Sequence, residues 1–340
     1  TAIPDAMSGA DSEASLMVRV LILNWKTNSE LVIRLIKERW LPHPESDSYS
    51  WMTIYECPLW TDEVEELAVI VLKRSPISTW LVEHAAMAVA VEQPDVAMHL
   101  VRVKLDYLLA EVLDGLVEPP PFPADGTEEE KISWHMHHDR ARVLDGLLEA
   151  MEWHDLPSLA EAAPASFLKY LWPWFVSVFS EILAHNNRND EKYIYPGRYA
   201  LKIETTPSGA RTASREKPVM SALLIAVEEL AKNSPIECSK WADENSNLEM
   251  LAVQQLIAFG YEVAADLLAS RALKWLLLDH RRFQLGSIHG HRRTTIDLIT
   301  ASAPHWSKEE ISRLQDALLS YRPEIPDHLK KPEKRKLFAD

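Results

Sequence analysis

Val64, Leu67, Ala68, Val71 and Leu72 recur at i, i+3, i+4, i+7 and i+8, which is one apolar stripe of an α-helix. The ends agree with the stripe. Thr61 can cap the free amides, Asp62 and Glu63 suit the positive end of the dipole, and Lys73 and Arg74 suit the negative end before Ser75-Pro76. The same spacing runs through Phe167, Leu171, Phe175, Val178, Phe179 and Ile182 after Pro164, and through Val219, Leu223, Ala226, Val227 and Leu230 after Pro218. Thr127 with Glu130, and Ser307 with Glu310, have capping-box spacing, so each opens a helix. Further helices are predicted near 14–24, 29–40, 77–92, 95–116, 247–258 and 261–278, with Gly260 separating the last two. No segment reads as a strand.

Many helices of moderate and varied length, joined by short Pro, Ser, Asn or Asp breaks, predict an all-α chain. The expected architecture is an α-solenoid, a HEAT- or TPR-like array of helical hairpins, although no strict sequence repeat is visible. Two segments interrupt the rhythm. Residues 117–126 are proline-rich and extended, a stiff spacer, and residues 186–217 form a polar insertion with little to bury. The expected organisation is therefore an N-terminal helical domain over 1–185, a linker over 186–217, and a C-terminal repeat domain over 218–340 with a basic tail around Lys330 to Lys336.

Charge sharpens this division. Residues 1–185 hold 13 Lys/Arg against 30 Asp/Glu, a net of −17, whereas residues 186–340 hold 23 against 21, a net of +2. An acidic half repels nucleic acid and anionic lipid and steers basic surfaces toward itself. Nine glycines in 340 residues leave little room for glycine-rich phosphate loops. Cys57 and Cys238 stand far apart and belong to no metal-ligand spacing, which fits a reducing cytoplasm. No apolar run reaches the roughly 20 residues of a membrane span, and no basic start with an apolar run opens the chain.

Candidate chemistry is sparse. No phosphate loop, dinucleotide fingerprint, nucleophile elbow or His-Glu-x-x-His zinc helix occurs, so no cofactor is expected. His135, His138 and Asp139 would share one face of a helix, and two imidazoles with a carboxylate could hold a divalent metal of a hydrolase. The competing reading makes them polar positions on an interfacial face, with Trp134 packed on a neighbour. Arg281, Arg282, Arg292 and Arg293, in a loop with Gly286 and Gly290, could grip a partner's phosphate or carboxylate. Alternatively they clasp an inter-repeat junction through Asp266, Asp279 or Asp297. Of twelve tryptophans, Trp40, Trp51, Trp60 and Trp80 are the candidates for exposure, with Trp51 in the loop-like run from Pro42 to Pro58 and Trp60 just after it expected to anchor a partner.

Leu248 to Leu256, Gly260, and the run from Ala272 through Leu278-Asp279-His280-Arg281-Arg282-Phe283 to Gly286 resemble the C-terminal helical repeats of bacterial STAND NTPases of the NACHT-like type, many of them antiviral. The continuation through Ile296–Ala303 and Ser307–Tyr321 is similar, so the resemblance covers about residues 245–322. It implies a superhelical scaffold used as a sensor or interaction surface. NTPase activity does not carry over, because this sequence has no phosphate loop. The reading is a non-enzymatic module that binds a protein with a basic surface. A metal-dependent hydrolase and a structural adaptor, the latter detectable as an oligomer, are the alternatives.

Overall fold

The computed structural model describes residues 9–117, 120–149, 153–185, 203–205, 211–213, 218–286 and 292–322. In chain order the helices are α1 (Gly9–Leu35), α2 (Asp47–Tyr55), α3 (Asp62–Leu72), α4 (Thr79–Val89), α5 (Pro94–Gly115), α6 (Glu128–His138), α7 (Arg140–Glu149), α8 (Leu156–Ala162) and α9 (Pro164–His185). After them come α10 (Pro218–Asn233), α11 (Pro235–Asn245), α12 (Leu251–Val263), α13 (Ala265–Leu278), α14 (Arg293–Ser302) and α15 (Lys308–Ser320). The chain is thus all-α, as its apolar spacing predicts.

A correction concerns strands. Two of three residues each, β1 (Ile203–Thr205) and β2 (Arg211–Ala213), pair antiparallel with Ile203 opposite Ala213. They fall in the segment read from sequence as a polar linker, too short for alternation to register. The rest of 186–217 lies outside the described residues, as do residues 323–340 of the basic tail. Compact packing groups Thr1–Phe122 with Glu152–Phe175 (unit 1), and Pro123–Met151 with Val176–Asp340 (unit 2).

The cap signals act as read. Thr61 Oγ1 accepts from the Val64 amide, and reciprocal capping boxes open α6 at Thr127/Glu130 and α15 at Ser307/Glu310. The helices expected at 14–24 and 29–40 are the two segments of α1, divided at the non-helical Asn28 (φ −143°, ψ 47°), and a π-helical turn over Ile36–Trp40 follows the second.

In unit 1, α1 packs on α2, α2 on α3, α3 and α4 on α5, and α4 on α8. The core joins Trp25 and Val32 of α1, Trp51 and Ile54 of α2, Leu67 and Val71 of α3, and Leu100 of α5. The run from Pro42 to Pro58 is not a loop. It holds α2, whose first residue, Asp47, is buried and accepts from Arg74 Nε at 2.8 Å and Nη2 at 2.5 Å, and from Ser75 Oγ. That long-range clasp fixes a helix whose own apolar pattern is weak. Glu83, fully buried on α4, accepts the amides of His154 (3.0 Å), Asp155 (2.9 Å) and Leu156 (3.0 Å), and so caps α8 from another helix.

Unit 2 centres on α12, where every residue from Leu251 to Tyr261 is buried. Around it, α11 through α15 pack on helices one or two places away in sequence, and α10 packs on α11, α12 and also α7. Gly260 does not separate two helices. It lies inside α12, and the break falls at Ala264 (φ −104°, ψ 32°). A Cβ at Gly260 would sit 2.9 Å from Cys238 Sγ and 3.1 Å from Val227 Cγ1, so glycine is required for close packing. Burial pushes the Cys238 thiol up to about 12, so it packs as a small apolar group. Gly260→Ala is expected to cost about 1–3 kcal/mol through overpacking, despite the better helix propensity of alanine. Denaturant unfolding of Gly260→Ala, Cys238→Ala and the double variant tests this. Adding Cys238→Ala should recover much of the loss, and purely additive effects would contradict it.

Candidate functional site

Trp80 and His84 sit four residues apart on α4 and share a face, while Val82, Glu83, Ala85 and Ala86 turn inward. Tyr55, at the end of α2, meets this face: its hydroxyl donates to His84 Nδ1 at 2.8 Å when that nitrogen is unprotonated. The Tyr55 and His84 ring centres are 5.4 Å apart, and those of Trp80 and His84 are 5.6 Å apart, both pairs tilted. Trp80 is 53% exposed, the one tryptophan with a largely solvent-facing side chain among the described residues. Burial and the Glu56 carboxylate raise the Tyr55 hydroxyl above its ordinary range, which keeps it protonated and able to donate. The result is an exposed aromatic ledge with a carboxylate beside it. Unit 1, which carries it, holds 10 Lys/Arg against 22 Asp/Glu, a net of −12.

Of the other tryptophans read as exposed, Trp40 is half-buried and packs on Tyr49, with ring centres 6.2 Å apart. Trp51 and Trp60 are corrections. They are 0% and 3% exposed in the core of unit 1, because the run they occupy folds as α2 and its flank. Neither can anchor a partner while the unit is folded.

The arginine cluster of unit 2 is a clasp. Arg281 Nε pairs with both Asp279 oxygens at 3.1 and 3.0 Å, and its Nη2 reaches Glu249 at 2.7 Å. Arg282 is buried, and donates to Gln254 Oε1 (3.0 Å), the Trp275 carbonyl (2.5 Å) and the Ser246 carbonyl (2.7 Å). Its guanidinium lies 4.4 Å from the Trp275 ring centre. The expectation that Arg282 meets a partner is corrected accordingly. Arg293 pairs with Asp297 one turn on, and Arg292 takes a left-handed φ of 65° as the residue before α14. Residues 287–291 of this loop, including Gly290, lie outside the described residues. An open concavity of about 380 Å³ between Ser246–Glu249 and Leu278–Arg282 is lined by the same clasp. Its charges already face one another.

The histidine cluster does not form one helical face. α6 stops at His138, and Asp139 is extended (φ −72°, ψ 109°), accepting the Arg142 amide at 3.3 Å to start α7. The His138 ring lies 5.8 Å from Trp134 and 6.3 Å from His137, and its Nδ1 is enclosed without a hydrogen-bond partner among the described residues. The side chain of His135 lies outside them. No group of three His, Cys, Asp or Glu side chains is placed to hold a metal among the described residues, and no helix there is long and apolar enough to cross a membrane.

Sequence reading named Trp80 but missed its partners. The signal was present as Trp80-x-x-x-His84 on a predicted helix, whereas Tyr55 arrives only through tertiary packing. Comparisons of the chain with protein-family models, with curated proteins and with solved structures find no match.

Proposed function

We propose that the chain is a non-enzymatic α-helical repeat module for protein recognition, in which the acidic surface of unit 1 meets a basic partner. The observation that carries this is the exposed Trp80–His84–Tyr55 ledge beside Glu56, in a unit of net charge −12. Aromatic faces next to carboxylates attract arginine and lysine side chains through the ring quadrupole and through charge, and tryptophan is a frequent hot-spot residue. Packing of α11 to α15 on helices one or two places away supports an α-solenoid reading for that part of unit 2, since stacked repeats touch their neighbours, while α10 also packs on α7. The similarity of residues 245–322 to the helical repeats of STAND NTPases supports a sensor or scaffold part of a bacterial antiviral system, working in the cytoplasm.

The test is titration of the full chain with a fluorescent arginine-rich peptide, by anisotropy. Trp80→Ala, which removes an exposed side chain and should leave the fold intact, is expected to weaken binding by about tenfold or more. Unchanged affinity would count against the ledge as the anchor.

A further inference from the structure

The first half of α1 carries two apolar faces. Val18, Leu21 and Trp25 are buried in unit 1, whereas Leu16, Val20 and Leu23, at i, i+4 and i+7, are 63%, 45% and 80% exposed. Such a spacing is the seam of a two-helix contact, and here no second helix covers it among the described residues. Arg19 and Lys26, seven residues apart, run along one edge of the seam. Both are exposed, and neither has an ion-pair partner among the described residues. The other edge, at Met17 and Asn24, is uncharged.

Those edges decide the occupant. In an antiparallel helix pair like edges meet, so a second copy would set Arg19 and Lys26 against their own counterparts. In a parallel pair it would set them against Met17 and Asn24, gaining no charge pairing. An anionic membrane meets the same two cations but offers no seven-residue register for them, so vesicle binding is one of the outcomes of the test below. We infer that this face of α1 docks an amphipathic helix of another protein, with an aliphatic seam and carboxylates repeating every seven residues along the edge that meets Arg19 and Lys26. The aliphatic seam supplies the affinity, and the charged edge selects the partner and its direction.

The probes are two fluorescent synthetic peptides of about 21 residues sharing one leucine/isoleucine seam, one edged with glutamate and the other with lysine. With the full-length Trp80→Ala chain, in which the ledge no longer takes up a basic peptide, the glutamate-edged peptide is expected to bind at least about tenfold more tightly than the lysine-edged one. The surface double variant Arg19→Glu/Lys26→Glu should reverse that order while keeping its helical circular dichroism, and Leu23→Asp should abolish binding of the glutamate-edged peptide. Equal or absent binding of the two peptides would overturn the inference. So would a dimer of the wild-type chain that Leu23→Asp dissociates, or binding to phosphatidylcholine/phosphatidylserine vesicles that Leu23→Asp removes. Wild type and Trp80→Ala should bind the glutamate-edged peptide equally, so failure here and failure of the aromatic ledge are separate results.

Discussion

Replacing Glu83 by alanine is expected to destabilise the protein by about 3–5 kcal/mol, because three amides at the start of α8 lose a buried acceptor at once. In a thermal scan this corresponds to a fall of roughly 10 °C in the midpoint for a unit of this size. Glu83→Gln should cost less. A glutamine oxygen in the place of Oε1 keeps the amides of Asp155 and Leu156 and loses only that of His154. The two variants also differ from wild type in their dependence on pH. Burial raises the Glu83 carboxyl above the usual carboxylate range, and the three amides offset part of that rise. The folded chain therefore holds this proton to higher pH than the unfolded chain. Its contribution is complete below the unfolded value, near about 4.3, and declines as pH rises through the raised folded value. Glu83→Gln should lack that decline. Equal stability of wild type and Glu83→Ala would remove Glu83 from the account of how α8 is held.

Arg282→Ala should be the second costly change, at about 2–4 kcal/mol, since it strands the carbonyls of Ser246 and Trp275 and the Gln254 oxygen in a closed site. It also uncovers the face of Trp275. The loss should spread to α14, because Thr295 Oγ1 donates to the Arg282 carbonyl at 2.6 Å and accepts the Leu285 amide at 3.2 Å. Arg282→Lys keeps the charge but cannot reach three diverging acceptors with one ammonium, so it should recover less than half of the loss. Chemical denaturation with amide hydrogen exchange over 279–300 reads both effects. Full stability in Arg282→Lys would mean that charge alone, not the fork, is what the site needs.

Both residues show where the sequence is readable and where it is not. Helices with a clear stripe and a local cap, such as α3, α6 and α15, follow from short-range rules because their signals lie within a few residues. α2 is hidden, because its clasp comes from Arg74, 27 residues away, and so the neighbours of Trp51 read as a loop. Gly260 reads as a stop because glycine usually ends helices, yet its role here is to let Cys238 and Val227 approach. Glu83 is indistinguishable in sequence from a solvated carboxylate, since the amides it serves lie 71 to 73 residues on. The candidate site divides the same way. Trp80 and His84 share a helix spacing, whereas the third ring of the ledge and the burial of Trp51, Trp60 and Arg282 are products of packing.

The central claim is that unit 1 recognises a basic protein surface through charge and the Trp80 ledge, and a salt series tests it most directly. Association of the full chain with the arginine-rich peptide, measured between low and high sodium chloride, should weaken steadily as salt screens the acidic surface. At each salt concentration Trp80→Ala should bind more weakly than wild type. An affinity that does not respond to salt, and that Trp80→Ala leaves unchanged, would contradict the account.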